Sequence, residues 1–320
     1  MNQQSFAQVY SQKVLMVEPT HFFLNEETFQ DNKFMNKVQI DQRESSLKAI
    51  EEFGKFKDLL LENDIDVQVY KQLTPDLPDS VFPNNWFSTH KGTDIPDGLF
   101  VVYPMKAETR EREKNPLIIQ QEGVNYKNYI DLRKFEYSTA LEGTGSLIFD
   151  TTNKKIYVNL SERADASLLT EFVEKFNKIS QNPYKSVVFN AVDAKNNPIY
   201  HTNVIMALLK DHALLCTESI KDEEERQRVI REITDESLNI CPKKLIDLNY
   251  EEINNMCGNM IMVQNKRGEH CVIMSQRARD SLRKEYLKEL EENYRIVASD
   301  INMIETIGGG SARCMVAELY

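Results

Sequence analysis

The chain has little of what marks several protein classes. It carries five cysteines in 320 residues, at 216, 241, 257, 271 and 314, and no Cys-x-x-Cys pair. An odd, scattered set fits reduced thiols better than a disulfide frame or a zinc site. No stretch of 18 apolar residues occurs, so no transmembrane helix is expected. Positive charge is in deficit: 39 Lys and Arg face 50 Asp and Glu, a net charge of −11. That balance argues against nucleic-acid or membrane-surface partners. The opening segment, MNQQSFAQVYSQ, is polar and lacks a signal-peptide core. These absences lead to the expectation of a cytoplasmic protein. Glycine is scarce as well, at eleven, and tryptophan occurs once, at Trp86.

What is present is enough to build a core. Hydrophobic residues make up 41% and charged residues 28%, the proportions of a folded chain. The length is large for one ordinary domain but not for a closed β or α/β architecture. No linker interrupts it, so a single domain over 1–320 is expected.

Residues 14–24, VLMVEPTHFFL, read as a strand leaving through a Glu-Pro turn. Residues 44–63 carry Leu47, Ile50, Phe53, Leu59 and Leu60 at helical spacing. DVQVYK alternates like a strand. From FPNNWFSTH and GLFVVYPM onward, one pattern recurs: a polar-led phrase, a hairpin, a helix and a strand. Its later phrases are LEGTGSLIFD, YHTNVIMALL, MCGNMIMV and GGGSARCMVAEL. Helices are expected through SERADASLLTEFVEKFNKI, 218–233 and 276–294. The leading polar residues Asn85, Glu142, His201, Asn259 and Cys314 lie 57, 59, 58 and 55 residues apart. So steady a period signals repeated supersecondary units. The last unit stops at its first strand, and the N-terminal segment has no phrase of its own. Joining the two chain ends completes a fifth unit and a closed, five-fold αβ propeller of ββαβ units, an α/β fold with one phrase per unit at the axis.

That arrangement would gather Glu142, His201 and Cys314 in one axial pocket: orienter, base and nucleophile. Gly308-Gly309-Gly310 is the tightest glycine cluster of the chain and lets backbone lie close to a ligand. Backbone N–H groups near Gly310–Cys314 are candidate oxyanion donors. The remaining histidines, His21, His90, His212 and His270, read as structural or exposed. Cys216, Cys257 and Cys271 read as packing. Asn259, in the phrase that needs no catalytic group, reads as a pocket liner or turn cap. Trp86 is a pocket wall or a core residue.

The set resembles the guanidine-modifying (pentein, or amidinotransferase) superfamily of arginine deiminases, dimethylarginine hydrolases and amidinotransferases. GGGSARCM resembles its nucleophile motif at Cys314, and YHTN its His-x-Asp motif at His201 and Asn203. LEGTG resembles its glutamate motif at Glu142, and PNNW stands where the family has an acidic pair, at Asn84 and Asn85. LSERAD resembles a deiminase segment that would place Arg163 on a substrate carboxylate. Arg110, in KAETRERE, is a second candidate for that task, in a run that reads as a solvated helix or loop. The family clasps a cationic guanidinium with two carboxylates, whereas Asn85 and Asn203 are amides. A buried carboxylate facing a neutral group costs several kcal/mol, roughly. An amide offers both a donor and an acceptor, as a ureido group requires.

The pattern is therefore most similar to the citrulline hydrolase (citrulline ureidase) branch. It implies cysteine-dependent hydrolysis of L-citrulline to L-ornithine, ammonia and carbon dioxide through an S-carbamoyl cysteine, with no metal or organic cofactor. The alternatives are a guanidino substrate, as for arginine deiminase or dimethylarginine hydrolase, or amidino transfer. A non-catalytic ring of the same fold is opposed by the Cys, His and Glu set. The expected partner is a small molecule; assembly into a homo-oligomer is left open.

Overall fold

The computed structural model describes residues 10–320. Residues 1–9, most of the polar opening segment, lie outside them. The described chain forms fifteen short strands. β1 (Lys13–Glu18) and β2 (Asp66–Lys71) flank the long helix Gln42–Glu62. Next come β3 (Phe87–His90), β4 (Leu99–Val102) and β5 (Asn128–Asp131), then β6 (Ile148–Asp150), β7 (Lys155–Asn159) and β8 (Lys185–Phe189). They are followed by β9 (Met206–Leu208), β10 (His212–Leu215), β11 (Lys244–Asp247), β12 (Ile261–Gln264), β13 (His270–Ser275), β14 (Arg295–Ser299) and β15 (Ala317–Leu319).

These strands make five three-stranded sheets. In four of them the strands are consecutive. The middle strand runs antiparallel to the first and parallel to the third. A hairpin followed by a helical crossover imposes that order. The fifth sheet, β15-β1-β2, is built from both chain ends. β15 pairs antiparallel with β1, with Lys13 opposite Leu319, and β1 pairs parallel with β2. Leading strands of neighbouring units touch: β15 lies against β3, β6 against β9, and β9 against β12. Strands such as Leu99–Val102 are buried on both faces, which is why they read as unbroken apolar runs.

Most elements fall where the pattern placed them, with instructive differences. Helix Gln42–Glu62 starts at Asp41, whose side chain accepts from the Glu44 N–H. Its inward face is Ala49, Phe53, Phe56 and Leu60, while Leu47 is 59% exposed. Ser45 and Ser46 turn inward because their hydroxyls donate to the Phe22 carbonyl. The helix expected from 218 begins at Glu223, capped by Asp222, after a 3-10 turn at Thr217–Ser219. The helix expected over 276–294 is two, Gln276–Ser281 and Lys284–Asn293. The break buries Leu282 and lets Arg283 bind Glu252 through its backbone N–H and its guanidinium. A helix over Asn302–Gly308, absent from the sequence reading, leads into the triple glycine. Gly309 ends it in the left-handed region at φ +64°, a position glycine occupies without strain. Trp86 is core, packed on Phe87 at 4.5 Å between centroids. Among the described residues no helix is long and apolar enough to cross a membrane.

Candidate active site

The polar-led phrases fold as tight turns at the entrances to the leading strands. They occupy Pro83–Asn85, Gly143–Ser146, Thr202–Val204 and residues 312–315. The Gly143–Ser146 turn packs against both Pro83–Asn85 and Thr202–Val204. This contact brings together side chains 57 and 59 residues apart. Gly145 makes it feasible: a Cβ there would stand 2.4 Å from Asn85 Nδ2 and 2.8 Å from His201 Nδ1. Gly145→Ala is expected to displace both groups. Overpacking should cost about 1–3 kcal/mol of stability, and misplacing the reacting groups should lower kcat/KM by about 100-fold. Thermal unfolding and steady-state rates read the two effects separately.

Glu142 is fully buried. Its Oε2 accepts from His201 Nε2 at 2.7 Å and lies 3.5 Å from Arg163 Nη1. Its Oε1 accepts from the Lys106 N–H at 3.0 Å. Burial opposes the charge of Glu142. The Arg163 guanidinium, the His201 hydrogen bond and Arg110 outweigh it and hold the carboxyl well below the usual range. An ionised Glu142 only accepts, so His201 Nε2 carries the proton and Nδ1 is bare. Burial is the largest influence on His201. Arg163 and Arg110 act in the same direction and Glu142 offsets only part, so the ring titrates below its ordinary 6.5.

His201 is therefore a neutral base at neutral pH. Its folded-state pKa is depressed, so the stability it contributes is present above pH 6.5 and lost as the pH falls further. A reaction needing the bare Nδ1 should keep its acid limb below pH 6.5, read from kcat/KM against pH. A limb above that value would contradict the assignment.

Cys314 is 4% exposed. Its Sγ lies 3.4 Å from Asn203 Nδ2 and 3.2 Å from Asn259 Nδ2. The backbone amides expected to serve an oxyanion are occupied at three positions. The Cys314 and Met315 N–H groups donate to the Ser311 carbonyl, and the Arg313 N–H donates to Asn259 Oδ1. The donors at the sulfur are side-chain amides instead. Of the other thiols, burial pushes Cys216 up to about 12, Cys271 up to about 11 and Cys257 higher still. Those three are inert packing, and Cys241 is exposed. His90 is likewise buried beside Ser88 and His212 against Tyr294 and Glu289.

Asn85 Oδ1 accepts from Arg110 Nη1 at 3.2 Å. A guanidinium only donates, so this contact fixes the amide and leaves Asn85 Nδ2 buried without a partner. Asn203 is the converse: Nδ2 faces the sulfur and Oδ1 is buried without a partner. Asn84 is turned away, its Nδ2 donating to Thr144 at 3.3 Å.

Arg110 corrects the reading of KAETRERE as solvated. It is 3% exposed and held by Glu113 at 2.7 Å, the Phe82 carbonyl and Asn85. Arg163 is equally buried, lies 4.8 Å from the centre of the Tyr200 ring and pairs with Asp31 and Glu142.

Asp31 and Asp79 were not foreseen as site residues; Asn259 was read only as a pocket liner or turn cap. Asp31 had no sequence signal. Asp79 did: an acid inside the apolar run Leu77–Phe82, 2% exposed, with Oδ2 held by Asn25 and Thr28 and Oδ1 unpartnered.

Asp79, Phe82, Asn85, Arg163, His201 and Cys314 line one narrow cleft of about 280 Å³. A larger hollow of about 1260 Å³ opens elsewhere, bordered by Thr89, Asp150, Met206, Ile261 and Tyr320. It contains none of Cys314, His201 and Glu142. Among the described residues, no buried polar atom lacking a partner borders it. Two such atoms, on Asp79 and Asn85, belong to residues that line the smaller cleft, and a third belongs to Asn203, which touches Cys314 Sγ. Unmet polar groups in a dry site await a polar ligand, so the smaller cleft is where binding chemistry is concentrated.

The five small mixed sheets, with the family and structural matches that follow, place the chain in the pentein, or amidinotransferase, superfamily. The sequence profile of the N,N-dimethylarginine dimethylhydrolase family, eukaryotic, matches residues 18–320, and the chain belongs to that family. No curated protein matches it in sequence. Among solved structures it is similar to the N-terminal domain of ArgZ, a cyanobacterial arginine dihydrolase, in a substrate-bound mutant form. The identity is 18% and the TM-score 0.70, over 96% of this chain and 97% of that one. It is also similar to AgrE in complex with ornithine and NAD+, at 16% identity and TM-score 0.70, over 96% of this chain and 39% of that one. A third is a dimethylarginine dimethylaminohydrolase mutant as an adduct with S-methyl-L-thiocitrulline. There the identity is 16% and the TM-score 0.65, over 96% and 99% of the two chains.

Proposed function

We propose that the protein is a single-domain, closed five-fold propeller that hydrolyses the C–N bond of a ureido amino acid, L-citrulline, with Cys314 as nucleophile. The observation that carries this reading is the pair of orphaned atoms at Asn85 and Asn203. One offers a donor and the other an acceptor, the complement of a ureido oxygen and its NH2. A guanidinium has only donors and would leave Asn85 Nδ2 unmet, a cost of about 1–3 kcal/mol. Asp79 Oδ1 accepts from the substrate ammonium. Arg163, exchanging Asp31 for the ligand, and Arg110 take its carboxylate.

The Cys314 thiolate, its proton passed to the bare Nδ1 of His201, attacks the ureido carbon. A C–S bond forms and the carbonyl π pair moves to oxygen. Collapse breaks the C–N bond, and protonated His201 gives its proton to the leaving nitrogen. Ornithine departs and Cys314 carries a carbamoyl group. His201, neutral again, takes a proton from water; the hydroxide adds, the C–S bond breaks, and carbamate decomposes to ammonia and carbon dioxide. Glu142 holds the ring in the required tautomer throughout.

Family membership favours a second reading, a guanidino substrate such as arginine or N,N-dimethylarginine. Product analysis with L-citrulline, L-arginine and N,N-dimethylarginine in separate reactions decides between them. Ornithine and ammonia from citrulline alone supports the ureido reading. Citrulline formed from either guanidino compound overturns it.

A further inference from the structure

Asn259 opens the fourth unit at the position held by Glu142, His201 and Cys314 in theirs, and the reaction above gives it no task. The structure does not treat it as filler. It is 1% exposed and every polar atom of its side chain is engaged. Oδ1 accepts the Arg313 N–H at 3.1 Å, and Nδ2 donates to the Asn203 carbonyl at 3.1 Å. A backbone N–H can only donate and a carbonyl only accept, so these two contacts fix which end of the amide is which. The second Nδ2 hydrogen is left for Cys314 Sγ, 3.2 Å away.

The geometry points to Asn259 as a catalytic residue that stabilises and aims the Cys314 thiolate. Three features support this. First, the sulfur is almost fully buried, where a bare thiolate is costly unless hydrogen-bonded. Second, the neighbouring turn amides donate to the Ser311 carbonyl and to Asn259 itself, so they do not serve the sulfur. Third, one small side chain ties the backbone at Asn203 to the backbone at Arg313. It thereby sets the distance between the His201 turn and the nucleophile turn. Asn203 supplies the second amide at the sulfur, at 3.4 Å. Asn203, however, also presents an unpartnered acceptor for substrate, whereas both polar atoms of Asn259 are already engaged, Nδ2 as above and Oδ1 by the Arg313 N–H with the thiol 3.6 Å away. Its role is therefore on the sulfur and not on the ligand. The inference extends the proposed hydrolase mechanism but concerns the free enzyme, so its test requires no substrate.

The test is the rate of Cys314 alkylation by iodoacetamide against pH, in a Cys241→Ser background so that the exposed thiol is silent. Peptide mass spectrometry confirms the site. Asn259→Asp keeps the shape but replaces the Nδ2 donor by an oxygen of a carboxylate. It should slow alkylation at neutral pH by about tenfold or more and move the rate profile up by about one pH unit. Asn259→Ser, too short to reach the sulfur directly, should move it the same way by less, and it carries the test if the Asp variant does not fold. An unmoved profile in a folded variant overturns the inference. So does a slower rate with an unmoved profile, which would reduce Asn259 to a packing residue. Should the profile move while citrulline proves not to be a substrate, the thiolate role stands and the ureido reading falls.

Discussion

Cys314→Ala is expected to remove turnover while leaving the cleft able to hold the proposed amino-acid substrate. The expected loss in kcat is on the order of 10⁴-fold or greater, the scale seen when a covalent nucleophile is deleted from a site whose other groups act with it. The cleft contacts proposed for the substrate ammonium and carboxylate come from Asp79, Arg110 and Arg163, and none involves the sulfur. Calorimetric binding of citrulline to the variant should therefore stay within a few-fold of the native protein. The substitution also has a structural consequence. Sγ is the acceptor for the Nδ2 groups of Asn203 and Asn259. Alanine leaves two buried donors facing a small void, at about 1–3 kcal/mol for each unmet group. The variant should thus unfold at a lower temperature than the native enzyme. A Cys314→Ala protein that retains turnover would remove the nucleophile assignment. One that is inactive and more stable would mean that the sulfur is a strained, poorly solvated group rather than a well-held one.

The fold was legible because its period is written in chemistry. Each unit opens with a polar residue entering a buried strand, and a polar residue at such a point needs a stated partner. That spacing alone implies five units and the joining of the two chain ends, as the five sheets and the β1–β15 pairing have it. The same spacing singled out Cys314, His201, Glu142 and Asn85 as candidates, and the resemblance of YHTN to a family motif added Asn203. What stayed hidden depends on contacts between units, which spacing along one strand does not encode. Arg110 sits in a run of charges, and that composition normally means solvent. Its burial follows from Glu113 and the Phe82 carbonyl, groups 3 and 28 residues away. Leu47 failed for the opposite reason: two serines found a carbonyl to bind and took the inward face. Asn259 was seen by position and passed over by type, because an asparagine alone does not reveal that its two ends are pinned by backbone. The break after Ser281 is equally invisible locally, since it is set by Glu252 in the short helix Tyr250–Asn254.

Replacing both amides by carboxylates, Asn85→Asp with Asn203→Asp, should turn the site away from ureido substrates and toward guanidino ones. At position 85 the oxygen facing Arg110 is conserved, so the ion pair formed there should hold the side chain in place. The atom that changes is the unpartnered Nδ2, which becomes an acceptor. A ureido oxygen would then meet a carboxylate oxygen, and a donor would be lost where charge grows in the tetrahedral intermediate. At position 203 the Nδ2 that faces the sulfur becomes an oxygen, which repels the thiolate unless a cation lies between them. A bound guanidinium supplies that cation; a ureido group does not. For citrulline the double variant should lose about 10²–10³-fold in kcat/KM, or roughly 3–4 kcal/mol of transition-state stabilisation. Activity on arginine or N,N-dimethylarginine should appear or rise. The two single variants should each move partway, and their effects should not add, because both act on one ligand and one sulfur. The measurement is the ratio of kcat/KM for citrulline to that for arginine across the four proteins. A ratio that stays constant while both rates fall would mean that Asn85 and Asn203 only support the turns around Cys314, and the choice between urea and guanidinium would have to come from other groups in the cleft.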